Sequence, residues 1–223
     1  MAHQDARCAT DAETTVVTAG GTMPTVFSLT GKRLVVVRGT VSGSTAWTLS
    51  GPQMSIIGQG GSLGGPGASG PTLHVTGGDL YMRGLSVTNG SPGIQADGGG
   101  VLRLERVSVS SNTAGGVLID GSGFDIKNTS ITSNGTVNSL EATWAGLRIQ
   151  NLTSSASGPK TFSYSSVTSN QNTGVSCAAG TAALLTPTPI SVFATGNIGG
   201  VDVSLACGFT SCSAASTTCG AQP

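Results

Sequence analysis

The chain has 223 residues, enough for one substantial domain and not demanding two. Only 9% of the residues are charged and 4% are aromatic, while Gly numbers 35 and Ser, Thr and Asn fill much of the rest, which excludes a helical bundle rich in Glu, Lys and Ala. Ten Lys and Arg balance ten Asp and Glu with no basic run, so nothing in the composition points to nucleic acid or an anionic membrane, and no window has the apolar length of a membrane span.

Residues 1–22 are polar and irregular and read as a lead-in. They lack the basic, apolar, small-residue order of a secretory signal, so the sequence reads as a trimmed mature chain or an intracellular one. Next, "TVFSLTGKRLVVVRGTV" (from Thr25) and "TAWTLSGPQMSII" (from Thr45) supply strands for a first coil that closes the N-terminal mouth.

A short phrase then recurs: "LSVTNGSPGIQA" from Leu85, "VSVSSNTAGGVLI" from Val107, "TSITSNGT" from Thr129, "SSVTSNQNTGVSC" from Ser165 and a degenerate "FATGNIGGVDV" from Phe193. Aligned on Asn89, Asn112, Asn134, Asn170 and Asn197, the copies begin about 22 residues apart, a solenoid period, and later intervals lengthen as loops are inserted. Within a copy the apolar period is two, with Val107 and Val109 facing in and Ser108 and Ser110 facing out. Three short strands fit in each copy, for example Phe124 to Ile126, Thr129 to Ile131 and Leu147 to Ile149, and no apolar stripe of 3.6-residue period offers a crossover helix. The prediction is an all-β, single-stranded right-handed parallel β-helix of about six to seven coils, spanning residues 23–207 and followed by a Cys-rich tail, 208–223. The five Asn residues are expected to stack at one turn and to bond along the coil axis.

These repeats, with "MSIIGQGG" from Met54, resemble the right-handed parallel β-helix proteins of the pectin-lyase-like superfamily over about residues 24 to 207. That likeness implies a fold more than an activity, because the superfamily holds lyases, hydrolases, epimerases, adhesins and structural modules.

The strands after each Asn turn align as Leu73 to Val75, Ile94 to Ala96, Val117 to Ile119, Leu147 to Ile149, Val175 to Cys177 and Val201 to Val203. Their outward residues are His74, Gln95, Leu118, Arg148, Ser176 and Asp202, a mixed ladder, whereas Ser86, Ser108, Ser130 and Ser166 make a uniform one. Loops at 58–72, 135–145, 151–159 and 178–189 adjoin these strands and are expected to wall a groove. By the resemblance, an extended polysaccharide lies there across Gln95, Leu118, Arg148 and Ser176, with Trp144 as a sugar platform and Glu141 and Lys160 on the walls; the competing reading of Trp144 is a cover for its own loop.

The favoured function is a non-catalytic polysaccharide-binding, structural or adhesive module, extracellular or at the cell surface and monomeric, with no cofactor. The alternative is a small lyase acting by β-elimination on a uronate polymer. Arg148, the only Arg or Lys on the ladder, would then be the catalytic base, and Asp97 and Asp120 would share a Ca²⁺. Both Asp residues precede Gly, so ordinary Asp-Gly turn chemistry is the simpler reading. The carboxylate-rich segments of polygalacturonase-like members and the Arg-x-Pro-x-x-Arg signature of pectate lyases are missing. A flat Ser/Thr working face, as in ice-binding solenoids, is disfavoured because the Ser ladder is not a Thr-x-Thr array. Cys177, Cys207, Cys212 and Cys219 favour disulfides and an oxidising compartment, with three connectivities open; zinc is disfavoured by their spacing, and Cys8 is left without a partner in the chain.

Overall fold

The computed structural model describes residues 14–21, 33–51, 53–136, 144–199 and 201–212. It is a parallel β-solenoid of about seven turns built from three parallel sheets. The first sheet contains β1 (Thr14–Thr18), β2 (Arg33–Arg38), β5 (Gln53–Gly58), β8 (Asp79–Arg83), β11 (Val101–Glu105), β14 (Gly123–Lys127) and β17 (Lys160–Ser163). The second contains β3 (Thr40–Ser42), β6 (Ser62–Gly64), β9 (Ser86–Thr88), β12 (Ser108–Ser110), β15 (Ser130–Thr132), β18 (Ser166–Thr168) and β20 (Phe193–Thr195). The third contains β4 (Trp47–Leu49), β7 (Leu73–Val75), β10 (Ile94–Ala96), β13 (Val117–Asp120), β16 (Leu147–Gln150) and β19 (Val175–Cys177). Two expected boundaries shift: Thr14–Thr18, inside the stretch read as irregular, pairs with β2, and the stretch 58–72 read as a loop contains β6.

Alternation within most strands builds the core, while β2 buries four residues in a row, Leu34 to Val37. In one coil Leu102, Leu104, Val109, Val117 and Ile119 are buried while Arg103, Ser108, Ser110 and Leu118 face outward. A three-residue strand has one or two inward side chains, so a single coil has no closed core; stacking supplies it. The register fixes the period. Val101 lies opposite Gly123, 22 residues on, but Val117 lies opposite Leu147, 30 residues on, and Phe124 opposite Lys160, 36 on. Eight residues (30 − 22) are therefore added just before β16 and six more (36 − 30) just after it. Both insertions flank Arg148.

The turn between second and third sheets is held by buried side chains. Asn112 Nδ2 donates to Asn134 Oδ1 (2.9 Å), Asn134 Nδ2 to Asn170 Oδ1 (3.0 Å), Asn170 Nδ2 to Asn197 Oδ1 (2.9 Å), and Asn197 Nδ2 to Asp202 Oδ1 (2.8 Å). Each also donates to a backbone carbonyl of the preceding coil, as Asn134 does to Val109. Backbone groups that water cannot reach are thus paired by side chains. The Gly before β10, β13, β16 and β19 makes room: a Cβ on Gly93 would lie 2.6 Å from Asn112 Nδ2, and one on Gly174 2.4 Å from Asn197 Nδ2.

Two corrections follow. Asn89 is not in this row: it is exposed, has φ +58° like Ser111 and Ser133, and bonds the Gly65 carbonyl. Gly90 takes the row position, its N–H donating to Asn112 Oδ1. Asp202 is not on the outward ladder either, because Val203, not Val201, lies opposite Val175, and its carboxylate ends the Asn row instead.

The C-terminal edges are covered by the chain itself, which removes open strand edges as pairing templates. Thr186 and Ile190 bridge to β17, Val203 bridges to β19, and Ser211 Oγ exchanges hydrogen bonds with both backbone groups of Ala194 in β20. The Cys177–Cys207 disulfide pins this cap to β19, and Cys212 is also a half-cystine; Cys8 and Cys219 lie outside the described residues.

Candidate functional site

The third sheet aligns Thr48, His74, Gln95, Leu118, Arg148 and Ser176 as one outward column, each opposite the next in register. Two residues further along the strands, Asp97, Asp120 and Gln150 continue the same face. Side-chain hydrogen bonds divide it into two clusters. In the first, one carboxylate oxygen of Asp97 accepts from Gln95 Nε2 (2.8 Å) and contacts His74 Nε2 (2.8 Å). In the second, Arg148 Nε donates to Gln150 Oε1 (2.6 Å), Gln150 Nε2 to Asp120 Oδ2 (2.9 Å), and Asn151 Nδ2 to Asp120 Oδ1 (2.7 Å). Leu118 stands between them.

Planar groups held by one another have lost much of their rotamer freedom before any ligand arrives, which lowers the entropic cost of binding. Their remaining donors and acceptors suit hydroxyl groups. Among its Arg and carboxylate side chains the face has one Arg against two Asp.

Asp97 and Asp120 occupy equivalent positions, yet each is engaged by a different set of side chains. Among the described residues no three His, Cys, Asp or Glu side chains gather as a metal site. Trp144 is 1% exposed, with its ring packed where a Cβ on Gly115 would fall, so it presents no face to a sugar and the platform expectation is overturned. Lys160 begins β17 in the first sheet, and its Nζ donates to the Ala156 carbonyl at 3.0 Å, away from the ladder. Glu141 lies outside the described residues. A cavity of about 400 Å³ sits over the last coil, lined by Leu205, Phe209 and Ser211 among others, and includes no ladder residue.

Sequence reasoning passed over a charged group on the first sheet. Arg83, Glu105 and Lys127 are direct neighbours in register, as are Tyr81, Arg103 and Asp125. Both rows recur at 22-residue spacing, a signal present in the sequence. Tyr81 Oη donates to Glu105 Oε2 at 2.7 Å, and Arg103 pairs with Asp79 at 3.1 Å. Burial first, then the hydrogen bond to Glu105, pushes the Tyr81 hydroxyl from its ordinary 10.0 up to about 12. Partial burial alone would raise Glu105, but the Tyr81 hydrogen bond and then Arg83, Lys127 and Arg106 bring it below the ordinary carboxylate value.

A raised folded value means that this contribution to stability is intact below about pH 10 and is lost as pH rises toward 12. Ultraviolet titration should therefore show a late tyrosine ionisation that is lost in Tyr81→Phe and moved to lower pH in Glu105→Gln. A late step that persists in Tyr81→Phe would contradict the assignment.

No helix among the described residues is long and apolar enough to cross a membrane. The sequence matches no family model and no curated protein. Among solved structures it is similar to the alginate lyase from Paenibacillus sp. str. FPU-7, with 19% identity and a TM-score of 0.46, over 79% of this chain and 62% of that one. This chain thus spans less than two thirds of that protein's length.

Proposed function

We propose that the outward face of the third sheet binds an extended, largely neutral polysaccharide laid along the solenoid axis, and that the protein is an extracellular or cell-surface binding module with no catalysis of its own. The observation that carries this reading is the pair of hydrogen-bonded clusters in one column, His74/Gln95/Asp97 and Asp120/Arg148/Gln150/Asn151. A polymer running along the axis meets a new row of these groups every ~4.8 Å, and Leu118 offers an apolar step for the carbon face of a sugar. The Cys177–Cys207 disulfide supports an oxidising compartment.

The elimination alternative asks Arg148 to accept a proton. Its Nε instead donates to Gln150 within the second cluster. Asp97, the second carboxylate of that scheme, bonds within the other cluster.

Calorimetry against xylan, β-glucan and galactomannan, run beside polygalacturonate with release of unsaturated ends followed in parallel, tests the proposal. Binding to a neutral polymer without turnover is expected. Gln95→Ala and Arg148→Ala should each weaken it about 3- to 10-fold, the worth of about one hydrogen bond apiece. Unsaturated product that disappears in Arg148→Ala would replace this reading with the lyase one, and binding indifferent to both substitutions would place the site elsewhere.

A further inference from the structure

The second sheet faces outward with two rows of hydroxyls, where the sequence suggested one. Thr40, Ser62, Ser86, Ser108, Ser130 and Ser166 lie in register, each opposite the next. Two residues further along the strands, a second row holds Ser42, Thr88, Ser110, Thr132, Thr168 and Thr195, with Gly64 in the place that β6 supplies. Apart from Gly64 and Phe193, every outward residue of these strands is Ser or Thr, so the face carries no charge, unlike the other two sheets. The repeated unit on β9, β15 and β18 is Ser-x-Thr, close to the Thr-x-Thr array that the Ser row alone does not form.

Strands of three residues, paired without offset, accumulate little twist, so both rows run straight. Hydroxyls repeat every ~4.8 Å along the axis and every ~6.7 Å between rows, and the seven strands carry the pattern over roughly 29 Å. From β9 to β18 these side chains are half-exposed. Some are held by one another: Thr168 Oγ1 donates to Thr132 Oγ1 at 3.2 Å and Ser62 Oγ to Thr40 Oγ1 at 3.1 Å, and β-branching stiffens each Thr at χ1. Beside the second row the turn repeats as well, with exposed Ser111, Ser133 and Ser169 all in the left-handed conformation.

We infer that this face binds ice, holding a layer of water whose oxygen spacing continues into a crystal face. A hydroxyl both donates and accepts, as a lattice water does, whereas a charged group orients water around itself. The two repeats lie close to those of the oxygen atoms on a prism face of hexagonal ice. Partners fixed on a rigid lattice lower the entropic cost of ordering each water, and the methyl groups of Thr88, Thr132 and Thr168 keep the surface between hydroxyls apolar. A soluble polysaccharide is the poorer fit. The face lacks the planar amide and guanidinium groups that the third sheet gathers, and its strands present one outward aromatic ring, Phe193, on the last of them. This surface is separate from the third-sheet site and does not depend on it.

Slow growth of ice from a solution of the full chain, with the protein then measured in the ice and in the remaining liquid, tests the inference; recrystallisation of ice grains is the second readout. Enrichment in the ice and slowed recrystallisation are expected for the wild type. Both should be lost in Thr132→Tyr, whose ring would stand out from the middle of the array. The melting temperature shows whether that variant is folded; if it is not, Thr88→Lys, two coils away, should still remove both effects. Exclusion of the wild type from ice to the same extent as serum albumin, incorporation unchanged in both variants, or binding of microcrystalline cellulose in place of ice overturns the inference. The polysaccharide titration reads a different sheet, so either face can fail without the other.

Discussion

Asn134→Ala is expected to cost about 3–6 kcal/mol of folding stability, at ~1–3 kcal/mol for each buried polar group left without a partner. The Asn134 side chain is fully buried and pairs on every side: its Oδ1 accepts from the Asn112 N–H and Nδ2, and its Nδ2 donates to Val109 O, Thr132 O and Asn170 Oδ1. Ala takes a partner from the Asn112 N–H and from the Val109 and Thr132 carbonyls, while the Asn112 amide keeps the Val87 and Ser110 carbonyls. For a domain of this size each kcal/mol moves the midpoint by roughly 2–4 °C, so thermal unfolding should shift by about 6–24 °C. Asn89→Ala is the internal comparison. It removes one hydrogen bond at an exposed left-handed position and should cost about 1 kcal/mol. Equal melting shifts for the two variants would show that the buried row is not what holds this turn.

Trp144→Ala should destabilise by about 3–5 kcal/mol through the cavity left by a large buried ring, while polysaccharide affinity measured well below the unfolding midpoint stays unchanged. The ring fills the space above Gly115, where an added Cβ would lie 2.3 Å from Trp144 Cζ3. Gly115→Ala should therefore destabilise through the same contact, by overpacking instead of a void. A folded Trp144→Ala protein with unaltered melting and no polysaccharide binding would restore the ring to the ligand face.

The inserted segments that carry Trp144 also show where sequence reading stopped. Alternation of apolar and polar residues with a 22-residue recurrence is enough to assign strands, their inward faces and the pairing of His74, Gln95, Leu118, Arg148 and Ser176. These follow because side-chain direction in a strand has period two, and stacking copies of equal length leaves one register that buries every apolar position. Arg83, Glu105 and Lys127 were legible by the same rule, since they recur at the same interval, but a column of mixed charges reads as a solvated face until its distances are known.

Other features depend on geometry that local pattern does not carry. Asn89 and Asn112 each sit in a short polar turn, yet one occupies the left-handed position and its neighbour Gly90 the buried one; only the hydrogen bonds of the stacked coils separate these roles. Asp202 looks like a ladder residue until a two-residue offset at the last coil turns its carboxylate onto Asn197. Lys160 follows two insertions, of eight and six residues, so the repeat interval no longer says which sheet receives it. The sequence by itself determined the solenoid, its three faces and the residues on each where the repeat is uninterrupted, because these are consequences of strand periodicity and repeat length. Only the tertiary structure decided which Asn residues are buried, which carboxylate meets which amide, and that Trp144 closes the core, because those outcomes depend on contacts between coils a full repeat or more apart.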